Sequence, residues 1–339
     1  MATPAQWIAG ARPRTLPAAV SPVLVGTGAA AAIDRADLGL ALLALVVSLA
    51  LQVGVNYSND YSDGIRGTDH ERVGPIRLVG QRLATAKNVK LMAFLFFGLA
   101  GLAGLALCAL SDTLGLIWVG VLCVLAAWFY TGGKNPYGYR GLGEVFVLVF
   151  FGLVATLGTL YTQAHRLTAP GLLGAYGVGA LATAILVANN LRDRPTDAKV
   201  GKRTLAVKLG DARTRALFVF LTTTAVAAGA ACALWAPWAL LCLGALALAI
   251  PQVMRVQAGA TALIAQLDPK AETFYERNQR SLQRLAKRLA TWQEQHKVLV
   301  ERWRVMQAEL RAATGADYAM YAVASRELMD LALSGQGGN

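Results

Sequence analysis

The sequence predicts an all-α, polytopic membrane helix bundle of two four-helix repeats, followed by a long soluble amphipathic helix. Three observations predict it. Of 339 residues, 55% are apolar and only 15% are charged, and a mean hydropathy of +0.46 places the chain among membrane proteins. Eight long apolar runs follow one another before residue 255. The charge is also uneven: residues 260–339 hold 11 Lys/Arg and 9 Asp/Glu, against 21 and 11 in the 259 residues before them. This composition excludes a disordered chain and a small disulfide scaffold. It also divides the chain into a membrane domain, 1–255, and a helical tail, 256–339.

The eight runs are 16–33, 39–59, 89–110, 113–131, 141–163, 170–190, 214–235 and 237–254, where a bilayer core asks for about 20 apolar residues per helix. Each is bounded by charges, Pro or Gly. The first follows Arg12 and Arg14 and is long for a signal-peptide core, and further spans follow at once. Cys108, Cys123, Cys232 and Cys242 are scattered through these runs without a CxxC spacing, which makes them small buried hydrophobes rather than ligands. The flanking loops fix the orientation. The N-terminus and the loops at 60–90, 131–141 and 191–215 carry eighteen Lys/Arg, and the alternate loops offer only Arg35 and Arg166. The positive-inside rule puts the N-terminus, the long loops and the tail in the cytoplasm. The net charge of +12 is then topology, with no nucleic acid implied.

Two of these basic loops also hold acids. The second run ends in Asn56-Tyr57-Ser58-Asn59-Asp60-Tyr61-Ser62-Asp63, where Asn56, Asp60 and Asp63 share one helical face at i, i+4 and i+7. The sixth ends in Asn189-Asn190-Leu191-Arg192-Asp193-Arg194-Pro195-Thr196-Asp197. Asn189 and Asp193 are again i and i+4, while Pro195 disfavours helix at Arg194 and places Asp197 on a turn beyond the helix end. The clusters lie 133–134 residues apart, each closing the second helix of a four-helix group. Paired carboxylates at membrane helix ends are costly. They suit Mg²⁺, which takes oxygen ligands and bridges one or two carboxylates to phosphates. Arg77, Lys199, Lys202 and Arg203 alternate with the acids and can bind phosphate oxygens.

These motifs resemble the UbiA-type intramembrane prenyltransferases, and within them the enzymes acting on 1,4-dihydroxy-2-naphthoate in menaquinone synthesis. The resemblance rests on Asn56 to Asp63 with Gly67-Thr68-Asp69, and on Gly74-Pro75-Ile76-Arg77-Leu78-Val79. It continues in Tyr130-Thr131-Gly132-Gly133 with Pro136, Tyr139 and Gly141-Leu142-Gly143-Glu144. Asn189 to Asp193 with Asp197 and Lys202-Arg203-Thr204-Leu205 complete it, within residues 5–255.

The resemblance implies a multi-pass enzyme of the bacterial plasma membrane in which Asp60, Asp63, Asp193 and Asp197 hold Mg²⁺ against a polyprenyl diphosphate, with Asn56 and Asn189 beside them. The allylic cation formed on ionisation is attacked by the naphthoate carbon bearing the carboxylate, with loss of CO₂. Tyr130, Tyr139 and Tyr161 are candidates to line the cavity near that cation. Glu144 is placed at the aromatic end as hydrogen-bond partner or proton acceptor. Lys134 and Arg140 are candidates for the carboxylate or the diphosphate. Other acceptors in the same family (4-hydroxybenzoate, homogentisate, a phosphoribosyl group) and a cation-coupled transporter are the alternatives, with a non-catalytic scaffold as a third.

The tail departs from the family pattern, which has nine spans. Ala258 to Leu267 is too short to cross a bilayer. Instead Leu282, Leu285, Leu289, Trp292, His296, Leu299, Trp303, Met306, Leu310 and Ala313 recur at alternating spacings of three and four, a heptad stripe. The stretch 271–313 therefore asks for a partner helix, in a homodimer or another protein. The abrupt change in composition favours a fused or substituted segment.

Overall fold

A computed structural model describes residues 2–67 and 76–267, together with Glu301 and Val305. The described residues are helical, without strands. A short α1 (Pro4–Gly10) is closed by a capping box in which Gln6 N donates to Thr3 Oγ1 and Thr3 N to Gln6 Oε1. The bundle then consists of α2 (Pro17–Ala31), α3 (Leu38–Ile65), α4 (Ala86–Leu110), α5 (Leu116–Phe129), α6 (Gly143–Ala164), α7 (Ala169–Lys199), α8 (Leu205–Ala231) and α9 (Leu246–Leu267). A 3₁₀ stretch, Pro237–Ala245, leads into α9, and Gly210 (φ 78°) kinks α8. Asp37, Thr85 and Thr168 cap α3, α4 and α7 by accepting from the backbone N–H three residues on.

Every predicted apolar run carries a helix, but the runs differ in reach. Among the described residues six helices are long and apolar enough to cross a membrane: α3, α4, α6, α7, the stretch from α8 to Leu234, and Pro237–Ala258. The first and fourth runs yield shorter helices of 15 and 14 residues, α2 and α5. The α5 run is shortened by the turn at Ser111–Gly115, where Ser111 Oγ donates to Leu107 O and Asp112 adopts a left-handed φ of 50°.

Packing organises the helices around the site. Helix α3 packs on α4 with α5 beside them, α7 packs on α8 and α6, and α2 joins the groups by touching α3, α6 and α7. One core, built around Val53, Tyr57, Val89, Ala93 and Phe97, locks α3 to α4, and Leu78 of the following turn closes it. Another, around Val187, Phe218 and Leu221, locks α7 to α8. Leu102, Trp118, Leu122, Trp238 and Leu241 are exposed, as expected of side chains that face lipid tails rather than water.

Helix α6 is interrupted by a π-helical segment, Leu148–Val154, a form concentrated at functional sites. Its Gly152 lies against α7 so closely that a Cβ would come within 2.6 Å of Gly179 Cα and 2.7 Å of Ala175 O. Both are backbone atoms and cannot swing aside. Gly152→Leu is expected to destabilise the bundle by about 1–3 kcal/mol or more through overpacking, read as a lowered unfolding temperature. An unchanged temperature would mean that the contact is not kept.

The structure corrects the expectation for Asp197. Helix α7 does not stop before Pro195; it runs through it to Lys199. Pro forfeits one backbone hydrogen bond, here to Leu191 O near a helix end, while its ring holds a φ suited to the helix. Asn189, Asp193 and Asp197 are thus successive residues of one helical face. The chain divides into units Met1–Ala260 and Thr261–Asn339, and α9 passes through the expected boundary at 255. Most of the 271–313 heptad stretch lies outside the described residues, as do Thr68, Asp69, Gly74 and Pro75.

Candidate active site

The two acidic clusters sit at the ends of α3 and α7, and their four carboxylates are only 1–6% exposed. Asp60 accepts from the backbone of the turn after α3, from Leu78 N at 2.7 Å and Val79 N at 3.1 Å. That pair of hydrogen bonds folds the 76–84 segment over the helix end and carries Arg77 inward. Asp63, one turn on, accepts from Tyr139 Oη at 2.6 Å. Lys202 Nζ lies 3.3 Å and Arg77 Nη2 3.8 Å from its carboxylate.

The second cluster reaches the first through Lys202. Asp197 ends its helical face with a backbone oxygen that accepts from Lys202 N at 2.9 Å, and the Lys202 side chain then crosses to Asp63. Asp193 holds Arg192 by two hydrogen bonds, from Nε at 2.7 Å and Nη2 at 3.0 Å. Lys202 also lies 4.5 Å from the centre of the Tyr139 ring, with Arg66 at 5.4 Å. Arg66 in turn donates to Thr131 O and Gly133 O, and Thr131 Oγ1 donates to Asn59 Oδ1 at 2.7 Å. The 130–140 loop is thereby fastened to the end of α3.

The other expected residues separate into distinct places. Asn56 is buried and donates to Ala11 O and Thr15 Oγ1, so it anchors the N-terminal loop beside the site. Glu144 is 5% exposed; its Oε1 accepts from Asn190 Nδ2 at 2.9 Å, and its buried Oε2 has no hydrogen-bond partner. Lys134, Arg140 and Arg203 line a separate open groove, and Lys199 is exposed in the last turn of α7. Asn189 lies one turn before Asp193 and is half-buried. Tyr161 belongs elsewhere: it is partly exposed next to His165, and it does not line the cavity.

An apolar cavity of 340 Å³ opens beside the end of α3, where Asn56 and Asn59, the latter next to Asp60 in the chain, line it. On α3 its wall runs from Asn59 to Ala44, about 22 Å of helix. The facing walls are α5 and α6, so the cavity lies along the seam between them. Tyr130 stands at its polar end, edge-on to Tyr137. Tyr137, which the sequence did not single out, stacks on Phe146 at 4.0 Å and donates to Ala126 O. Burial, with the Tyr130 phenol beside it, pushes the Tyr137 phenol up from its ordinary range, so it stays protonated as a donor.

No group of three or more Asp, Glu, His or Cys converges among the described residues. The four acids are hard oxygen donors spaced one turn apart along α3 and α7, the donor type that suits a cation that keeps water and takes substrate phosphates. The donor set therefore fits Mg²⁺.

Residues 19–263 match the UbiA prenyltransferase family. The chain belongs to this family. Over 259 residues it is 55% identical to 1,4-dihydroxy-2-naphthoate octaprenyltransferase of Mycobacterium tuberculosis, covering 76% of this chain and 88% of that one. It is 40% identical over 215 residues to the Escherichia coli protein of the same name, 62% of this chain and 70% of the relative. Among solved structures, a UbiA homologue from Archaeoglobus fulgidus bound to DMAPP and Mg²⁺ superposes with a TM-score of 0.57 at 14% identity, over 74% of this chain and 86% of the other. At that identity the likeness is one of fold.

The tail has a different relative. Residues 256–330 match the C-terminal region of glutamate dehydrogenase. A 51-residue stretch, 15% of this chain, is 71% identical to NAD-specific glutamate dehydrogenase of Pseudomonas aeruginosa and makes up 3% of that protein.

Proposed function

We propose that this UbiA-family enzyme transfers a polyprenyl group from its diphosphate to 1,4-dihydroxy-2-naphthoate, with loss of CO₂ and diphosphate, to give demethylmenaquinol. The carrying observation is Lys202, whose backbone N–H is held by Asp197 O and whose side chain reaches Asp63, so that the end of α7 is tied to the end of α3 beside an apolar cavity that begins at Asn56 and Asn59. The identity to the naphthoate enzymes supports the acceptor.

Asp60, Asp63, Asp193 and Asp197 would hold Mg²⁺, which supplies positive charge to the diphosphate as it leaves. Lys202 and Arg77, already buried against Asp63, bind diphosphate oxygens, Arg as a fork and Lys as a point charge. The allylic C–O bond breaks with its electron pair going to diphosphate. Tyr130, at the cavity's polar end, offers its ring face to the allylic cation. The naphthoate carbon bearing the carboxylate then forms the new C–C bond, and the electron pair released with CO₂ restores the aromatic ring. The spare oxygen of Glu144, oriented by Asn190, accepts a hydrogen bond from an acceptor hydroxyl. The cavity holds the start of the isoprenoid, each buried CH₂ of which is worth about 0.8 kcal/mol, and the α5–α6 seam lets the rest remain in lipid.

The basic ends of the helices face the cytoplasm on this reading. We place the boundary of the membrane domain at 255–260 and take the tail to be a fused segment, whose heptad stretch is where a partner helix, in a second copy or another protein, would pair.

The purified chain is expected to convert labelled polyprenyl diphosphate and naphthoate to prenylated product and CO₂ in Mg²⁺, and to fall below about a hundredth of that rate in EDTA. Full product in EDTA would overturn the metal-dependent reading. Equal rates with 4-hydroxybenzoate or homogentisate would overturn the acceptor.

A further inference from the structure

Outside the carboxylate site, four cationic side chains surround one open groove of 650 Å³: Lys134 and Arg140 from the loop before α6, Arg203 and Lys208 from the segment after α7. Among the described residues no acid lines it and none of the four is ion-paired. The groove is held in shape by backbone. Gly141 and Gly201 turn the two segments at φ 74° and 77°, Arg203 N donates to Tyr139 O at 2.9 Å, and Lys208 Nζ donates to Arg140 O at 2.6 Å. Four like charges fixed around one concavity repel one another and call for a multiply bonded anion.

The surroundings select which anion. The groove lies by the ends of α5, α6, α7 and α8, where the apolar stretches give way to polar loops. Leu142, which lines it, is 42% exposed, and Val145, three residues on, is 56% exposed. A soluble diphosphate would use the cations alone, whereas a lipid uses the cations for its phosphate and the apolar flank for its chains. We infer that this groove seats the headgroup of an anionic phospholipid. Tyr139 forms the wall between this seat and the active site, with its backbone oxygen on Arg203 and its hydroxyl on Asp63. An occupied groove therefore steadies the residue that positions Asp63.

The test uses the full chain in nanodiscs of phosphatidylcholine, with or without phosphatidylglycerol, followed by delipidation and native mass spectrometry. The wild type is expected to retain phosphatidylglycerol over phosphatidylcholine by about tenfold or more. The Arg140→Gln/Arg203→Gln variant should lose that preference, Arg140→Lys/Arg203→Lys should keep most of it, and Lys87→Gln, an exposed cation off the groove, should keep all of it. Undiminished retention in the glutamine variant overturns the assignment. So does competition by inorganic diphosphate at equal strength, which would make the seat one for a soluble anion. If the glutamine variant does not fold, wild-type retention indifferent to added salt overturns it instead.

Discussion

Asp60→Asn and Asp193→Asn, one in each cluster, are expected to lower prenyl transfer by about a thousandfold or more each, with residual activity that no longer responds to added Mg²⁺. The substitution preserves shape. An amide in place of the Asp60 carboxylate would keep one acceptor for the paired N–H groups of Leu78 and Val79, so the 76–84 turn loses a hydrogen bond and not its framework. At position 193 the loss falls on the bidentate contact with Arg192, whose side chain is nearly half exposed and can turn to water. What both variants remove is negative charge where the proposed Mg²⁺ would bind, and thermal unfolding measured alongside separates that from collapse. A Mg²⁺ titration in which either variant reaches wild-type rate at saturation would leave the carboxylate with a structural role only. Asn56→Ala makes the contrast: it breaks the anchor to Ala11 and Thr15 and should affect stability more than metal response.

The second large effect concerns the length of the donor. Gly104, Gly120 and Gly158 line the apolar cavity from α4, α5 and α6, toward the end away from the carboxylates. A Cβ at Gly120 or Gly158 would meet no heavy atom within 4 Å, and one at Gly104 only Val47 Cγ2 at 3.9 Å. These positions border space, unlike Gly152, which borders backbone. A leucine at 120 or 158 therefore fits without strain and fills the channel. Gly120→Leu and Gly158→Leu should leave transfer from a two-isoprene donor within about twofold of wild type and cut transfer from an eight-isoprene donor by about tenfold or more. The readout is the ratio of products when both donors compete. An unchanged ratio would mean that the isoprenoid does not run past these residues.

Much of this was legible before any coordinates. The apolar runs located the helices because a bilayer leaves the backbone few choices, and helical periodicity alone put Asn56, Asp60 and Asp63 on one face. Residue-by-residue placement in the loops was not legible. Lys202 and Arg203 are neighbours in sequence, yet one points at Asp63 and the other into the outer groove, because the backbone bond from Arg203 to Tyr139 fixes which way the segment turns. Tyr137 and Phe146 pair across a loop, and spacing along the chain carries no sign of it. Pro195 misled in a definite way: the rule for residues preceding proline is a bias, and a helix already held by α6 and α8 outweighs it. Asn56 looked like a chemical group and is in large part an anchor. The tail's change of composition was visible, while its kinship to a dehydrogenase segment needed comparison with other proteins.

The buried pair of Lys202 and Asp63 has a consequence for how the enzyme accepts its substrate. A lone ammonium at that depth would be expensive to desolvate, and a lone carboxylate equally so. Inside the protein Asp63 compensates Lys202 and is itself met by both Lys202 and Arg77. On the proposed function a diphosphate would bring oxygens for the lysine, and its Mg²⁺ a cation for the aspartate. Binding would then be an exchange of counter-ions. Because Arg77 also stands beside Asp63, a diphosphate that drew Lys202 away would leave the carboxylate with one cation still in place.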